Sequence, residues 1–138
     1  MPPFYVAYHA EFSEPTEIFH NDIRARFTRG DREIVEAMQR FAGFAEAGRQ
    51  ALLEGNVDRL HQIIDDNYDL RRSIYDLPPW QAEMVESARA CGASAKFAGS
   101  GGAIVGIYQG QAMLEELHHR LRAIGSHVIG PTLDVEKL

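Results

Sequence analysis

Cys91-Gly92-Ala93-Ser94-Ala95-Lys96-Phe97-Ala98-Gly99-Ser100-Gly101-Gly102-Ala103-Ile104-Val105-Gly106-Ile107-Tyr108 sets a cluster of glycines between two apolar stretches. Ala95 and Phe97 alternate before the cluster, and Ile104, Val105, Ile107 and Tyr108 follow it, a pattern that predicts two strands joined by a turn. Gly99, Gly101 and Gly102 allow positive φ in that turn and leave the backbone bare for close approach. Successive exposed N–H groups in such a turn form an anion-binding concavity. The stretch is no P-loop, which needs a Gly-Lys pair, and the chain has none. Nor is it a dinucleotide fingerprint, because Ile104 breaks the glycine spacing and a strand follows instead of a helix. On residue chemistry alone two readings stand side by side: a plain turn between buried strands, or an anion cradle. Lys96 leans only slightly towards the second.

Outward from this hairpin, the chain predicts helices with strands at its two ends. Phe4 to Glu11 is rich in aromatic and β-branched residues and predicts a strand. Ser13-Glu14-Pro15-Thr16 punctuates, and Phe19, Ile23 and Phe27 then recur at helical spacing up to Gly30. Asp31 is the N-cap candidate for a second helix with Ile34, Met38, Phe41, Ala45 and Leu52 as apolar positions and Gly55 beyond its end. Asn56 caps a third, running to about Asp76 with Leu60, Ile64 and Tyr68 on one face. Asn67 and Arg71 are neighbours on that helix, with Arg72 about 100° further round. A solvated charged face, countered by Asp65, Asp66 and Asp69, is the simpler reading of these three. Leu77-Pro78-Pro79-Trp80 breaks the chain and opens a fourth helix that turns Met84, Val85 and Ala88 inward and stops at Gly92. Trp80 is expected to be a core or hinge anchor. After the hairpin come a helix over about 111–124, with Met113, Leu114, Leu117 and Leu121 as its stripe, and a last strand, Ser126-His127-Val128-Ile129. A strand, four helices, two strands, a helix and a strand predict an α+β fold: an antiparallel sheet of about four strands packed with helices.

The length of 138 residues suits one domain, residues 1–138, large enough for a core without disulfides or metals. A net charge of −6 without a basic run argues against nucleic-acid binding. No uninterrupted apolar stretch reaches membrane-spanning length, so no membrane partner is expected, and the single Cys91 fits a reducing cytoplasm. Cys91 itself reads as a small buried hydrophobe. His118 and His119 are adjacent on a helix and diverge, and HExxH is absent, so no metal site is expected. Ser100 stands in no GxSxG elbow, which argues against a nucleophilic hydrolase. The pair Asp65-Asp66 reads as a solvated helix face.

Lys96-Phe97-Ala98-Gly99-Ser100-Gly101-Gly102-Ala103, preceded by Glu86-Ser87-Ala88-Arg89-Ala90-Cys91-Gly92-Ala93, resembles the third motif of the GHMP kinases. The form of the turn and the segment Asn67-Tyr68-Asp69-Leu70-Arg71-Arg72 are most similar to the glucuronokinase-like sugar-1-kinases, although Ala103 stands where the more usual turn has another glycine. The resemblance runs from about Phe4 to Thr132. It implies the ferredoxin-like C-terminal domain of that family and an ATP-dependent phosphotransferase acting on an alcohol or anomeric hydroxyl, with Mg2+. It makes Lys96, Gly99, Ser100, Gly101 and Gly102 candidates for the nucleotide-phosphate side. Asn67, Arg71 and Arg72 become candidates for contact with a sugar or sugar acid, since an arginine fork suits carboxylates and phosphates.

The principal nucleotide loop of such kinases, Pro-x-x-x-Gly-[Leu/Ile]-[Gly/Ser]-Ser-Ser, does not occur in these residues. Nor does the loop that carries an acidic candidate for general base. Phe4 corresponds to the strand opening the C-terminal domain. The expectation is therefore a C-terminal portion without its N-terminal nucleotide-binding domain, with no catalytic residue of its own and inactive alone. It would need an N-terminal kinase half as partner, or pair with itself as a homodimer. The competing expectation is a stand-alone metabolite-binding or dimerisation module that kept the fold without the chemistry.

Overall fold

β1 (Phe4–His9) runs through the middle of a four-stranded sheet, antiparallel to β3 (Ala103–Ile107) on one side and to β4 (Ser126–Ile129) on the other. β2 (Lys96–Phe97) pairs antiparallel with β3 and forms the far edge, giving the order β2-β3-β1-β4. The computed structural model describes residues 2–11, 16–99 and 101–131, with the side chains of 16–20 outside that description. The Ser13-Glu14-Pro15 break, the Phe19 side chain, Ser100 and Thr132 therefore lie outside the described residues.

Four helices separate β1 from β2: α1 (Thr16–Thr28), α2 (Arg32–Glu54), α3 (Val57–Ile74) and α4 (Pro79–Ala90); α5 (Gly110–Ala123) joins β3 to β4. This is the predicted order of elements, in the ferredoxin-like arrangement. The ends follow from local chemistry. The Asp31 carboxylate accepts the Glu33 N–H at the start of α2, and the Asn56 side chain accepts the Arg59 N–H at the start of α3. Pro79 begins α4, where its missing N–H costs nothing. Among the described residues no helix is long and apolar enough to cross a membrane.

One face of the sheet presents Tyr5, Ala7 and Ile104 to Met84, Val85 and Ala88 of α4 and Leu117 and Leu121 of α5, and these close the main core. Tyr68 of α3 enters the same core and meets the Phe97 ring edge-on at 5.6 Å. Trp80 anchors the start of α4 against this cluster, edge-on to His9. A second cluster joins α2 and α3 through Ala51, Leu60, Ile63 and Ile64 to Ile107. Leu52 departs from its expected inward place and is exposed, because its neighbour Ala51 takes the inward position and Leu52 lies about 100° further round the helix.

Gly106 is the tightest point of the sheet. A Cβ there would stand 1.7 Å from the Ser94 carbonyl oxygen. That carbonyl accepts the buried Tyr5 hydroxyl at 2.7 Å, and the Ser94 Oγ accepts the Ile107 N–H at 3.0 Å. Burial, and then the Asp65 charge, pushes the Tyr5 pKa up, so its hydroxyl remains a donor. These bonds fix the chain just before β2 and so set where Lys96 emerges.

Candidate anion-binding site at the glycine turn

The hairpin tip between β2 and β3 takes the backbone conformations its glycines permit, with φ of 88° at Gly99, 132° at Gly101 and 83° at Gly102. The Ala98 N–H donates to the Ala103 carbonyl and the His9 N–H to the Gly102 carbonyl, each at 3.0 Å, tying the turn to β1. A Cβ on Gly101 would stand 2.6 Å from Gln81 Oε1, so this position excludes a side chain on steric as well as conformational grounds.

α3 is fastened along the hairpin by one of its faces. Asp65 accepts the Ala95 N–H at 3.0 Å, Tyr68 packs on Phe97, and Arg71 Nη1 donates to the Gly99 carbonyl at 2.6 Å. The Arg71 guanidinium lies 5.0 Å from the Phe97 ring centroid and 5.1 Å from that of Tyr75, between two π faces. Arg89 of α4 braces this face by donating to Asp69 at 2.6 Å. Asp65 is thus no solvated carboxylate. Burial raises its pKa against the hydrogen bond from Ala95 and the charge of Arg89.

Beside the turn, α1, α2, α3 and β2 enclose an open pocket of about 620 Å³. Arg24, Arg71, Lys96 and Asn67 supply its polar wall, with Phe27, Met38 and Phe41 also lining it, and among the described side chains no aspartate or glutamate does so. Burial lowers the pKa of Arg71. Burial, and then the neighbouring Arg71 charge, lowers that of Lys96. Lys96 Nζ donates to the Phe97 carbonyl at 2.8 Å. Two cations held close in a part-buried wall favour an incoming anion, whose charge relieves their repulsion. A second, more apolar groove of about 550 Å³ shares Asn67 and Lys96 and runs on over Phe4 and Val105.

The structure therefore brings Asn67, Arg71, Lys96 and Gly99 to one pocket, with Gly101 and Gly102 on the adjoining turn. Ser100 lies outside the described residues. Arg72 does not join them. It points across α4 and pairs with Glu86 at 2.8 Å, both side chains more than half exposed. The helical rotation that separates it from Arg71 carries it off the pocket. Sequence reasoning missed Arg24 and Gln81. Gln81 sits at the inward spacing of Met84, Val85 and Ala88, and that stripe was the available signal.

Residues 49–127 match the family described as GHMP kinases C terminal. The chain is 41% identical over 108 residues to a protein named probable glucuronokinase 2 of Arabidopsis thaliana, covering 76% of this chain and 29% of that protein. It is 34% identical over 129 residues to glucuronokinase 1 of the same plant, covering 91% of this chain and 35% of that one. The chain thus spans about a third of the length of the curated relatives it matches. Among solved structures, it superposes on L. major mevalonate kinase in complex with R-mevalonate with a TM-score of 0.79 at 21% identity, covering 96% of this chain and 44% of that one. A Lin0012 protein from Listeria innocua gives 0.83 at 17%, covering 94% and 38%. These two similarities concern the fold.

Proposed function

Because the chain belongs to the GHMP kinases, as their C-terminal domain, we propose that it forms one wall of the active site of an ATP-dependent kinase that phosphorylates a sugar or a sugar acid. A uronic acid is the acceptor we favour. The observation that carries this reading is the pocket beside the glycine turn, which Arg24, Arg71 and Lys96 line together with no carboxylate among the described side chains. The names of the two plant relatives support the same acceptor.

The phosphate end of ATP fits the turn, since Gly101 and Gly102 carry no side chains and their positive φ values favour glycine. ATP when bound supplies the γ-phosphoryl group, and Mg2+ offsets its charge. Among the described residues no group of three His, Cys, Asp or Glu could hold a metal. Mg2+ would accordingly be held through the phosphates and by residues of the N-terminal half. The backbone N–H groups of Gly101 and Gly102 would donate hydrogen bonds to the phosphoryl oxygens and so stabilise charge developing there, and Lys96 adds a positive charge beside them. Arg71, held by Gly99 and its two rings, presents its guanidinium charge to the acceptor's carboxylate, and Asn67 its amide to a hydroxyl. Arg72, turned towards Glu86, takes no part. The proton of the attacking hydroxyl goes to a base outside this chain. Transfer then rests on positioning, which this wall supplies.

The partner in this reading is an N-terminal kinase half, seated on the open sheet face where Tyr8 and Ile129 are exposed. The chain alone is inactive and binds MgATP at most weakly. The lone Cys91 and acidic charge suit the reducing cytoplasm. Calorimetric titration with MgATP and glucuronic acid, before and after mixing with the N-terminal half of a related kinase, tests all of this. Activity restored only in the mixture is the expected result. Phosphorylation by the chain alone would overturn the half-enzyme reading. Saturable metabolite binding without ATP, or a stable homodimer on a sizing column, would favour the stand-alone module.

A further inference from the structure

Along α4 the inward positions 81, 84, 85 and 88 are all fully buried, and three of them carry hydrocarbon. The fourth is Gln81, 0% exposed, and neither its Oε1 nor its Nε2 has a hydrogen-bond partner among the described residues. A buried amide without partners costs stability that an apolar side chain of the same shape would not. The amide lies beneath the glycine turn, its Oε1 2.6 Å and its Nε2 2.8 Å from where a Cβ on Gly101 would stand.

Around this point the turn is tied to β1 and, through Arg71 and the Gly99 carbonyl, to α3. The Gly102 carbonyl accepts the His9 N–H, and the Ala103 carbonyl accepts the Ala98 N–H. Gly101 is the residue of the turn next to the amide, and one of its two peptides joins it to Gly102. A trans peptide carries its C=O and N–H on opposite sides of the chain. An anion seated on the turn draws the Gly102 N–H outward. The carbonyl of that same peptide, belonging to Gly101, then points inward, where Gln81 waits.

The geometry points to Gln81 as the positioning residue of the glycine turn: its Nε2–H donates to the Gly101 carbonyl when an oligophosphate occupies the turn, and so holds the Gly102 N–H towards that anion. The inference rests on the reading of the turn as the phosphate side of the site, and adds a residue that acts without touching the ligand. The buried amide holds a stored donor, which the Gly101 carbonyl satisfies once an anion is seated on the turn.

The test uses the full 138-residue chain, labelled with 15N and titrated with inorganic pyrophosphate into the millimolar range, as wild type and as Gln81→Met. Methionine keeps the volume and removes the amide. In the wild type the Gly102 amide signal and the Gln81 side-chain signals are expected to move together. Gln81→Met is expected to weaken pyrophosphate binding about tenfold while raising the melting temperature, opposite signs that a merely structural glutamine would not give. Equal affinity in Gln81→Met overturns the role of Gln81 and leaves the anion reading intact. Gln81 side-chain signals that stay still while Gly102 moves overturn it as well, and need no variant to fold. A Gly102 signal unmoved at every pyrophosphate concentration removes the anion reading and this inference with it.

Discussion

Replacing Gly106 by alanine drives a methyl group into the backbone at residue 94. The new Cβ would stand 1.7 Å from the Ser94 carbonyl oxygen and 2.6 Å from its carbon, and both are backbone atoms that no rotamer can move aside. Relief requires β3 and the 94–96 segment to separate by roughly 1.5 Å, the gap between that approach and an ordinary contact. Three buried hydrogen bonds do not survive such a shift: Tyr5 hydroxyl to Ser94 carbonyl, Ile107 N–H to Ser94 Oγ, and Ser94 N–H to Ile107 carbonyl. At about 1 kcal/mol each they amount to about 3 kcal/mol, and an unpartnered Tyr5 hydroxyl in the core adds about 1–3 kcal/mol more. Against the usual total of about 5–15 kcal/mol for a domain, Gly106→Ala should leave the chain barely folded at room temperature. Urea unfolding followed by circular dichroism measures this, with Gly43→Ala as its control. Gly43 lies within α2 with nothing near its would-be Cβ, and alanine there should stabilise by about 0.5–1 kcal/mol. A Gly106→Ala loss below about 1.5 kcal/mol would refute the claim that this close approach holds the sheet, and with it the account of how Lys96 is placed.

Lys96→Met should stabilise the free chain, since it removes a part-buried cation beside Arg71, and should weaken glucuronate binding. In the wild type that binding should fade as pH rises through the lowered Lys96 pKa, because only the protonated amine attracts the anion. Calorimetry across an alkaline pH series separates the two chains, and parallel pH profiles would exclude Lys96 from the site. Asp65 has a folded-state pKa raised chiefly by burial, so its contribution to stability is fully present below the ordinary aspartate pKa and is lost as pH rises through the folded one. Asp65→Asn should flatten wild-type stability in the window just above the ordinary aspartate pKa, measured by urea titrations at stepped pH; an unaltered profile would assign that dependence elsewhere. Arg72→Ala, which breaks only an exposed pair with Glu86, should cost no more than about 1 kcal/mol and leave acceptor affinity unchanged, whereas Arg71→Ala should abolish it. Equal losses in the two arginine variants would contradict the placement of Arg71.

The parts of the fold that depend on neighbours in sequence could be read from the residues. Asp31 and Asn56 cap where their side chains predict, Pro79 opens α4, and the glycine cluster forms the hairpin tip. The order of all nine elements follows from such signals together with apolar spacing. What could not be read depends on distant partners. Asp65 looks like half of a solvated pair until the Ala95 N–H, thirty positions away, arrives beside it. Arg71 and Arg72 are adjacent and chemically alike, and only the placement of Gly99 on one side and Glu86 on the other separates them. Leu52 has the spacing expected for the core, but Ala51 beside it takes the inward position against α3. Gln81 was legible in principle, because a glutamine on an apolar stripe is itself a local inconsistency of the kind that marks sites.

Asp65, Tyr68 and Arg71 grip the hairpin from one face of α3 at spacings of three residues, each on a different point of the segment from Ala95 to Gly99. Such a grip is a constraint on length as much as on composition. Deleting or inserting one residue between 65 and 71 would rotate the lower grips by about 100° relative to the upper, and no side-chain change could restore all three. Selection on this stretch therefore acts on reading-frame-preserving indels more severely than on substitutions. Lineages of this domain are expected to vary in length at the α1–α2 and α2–α3 junctions while holding the count from Asp65 to Arg71 fixed.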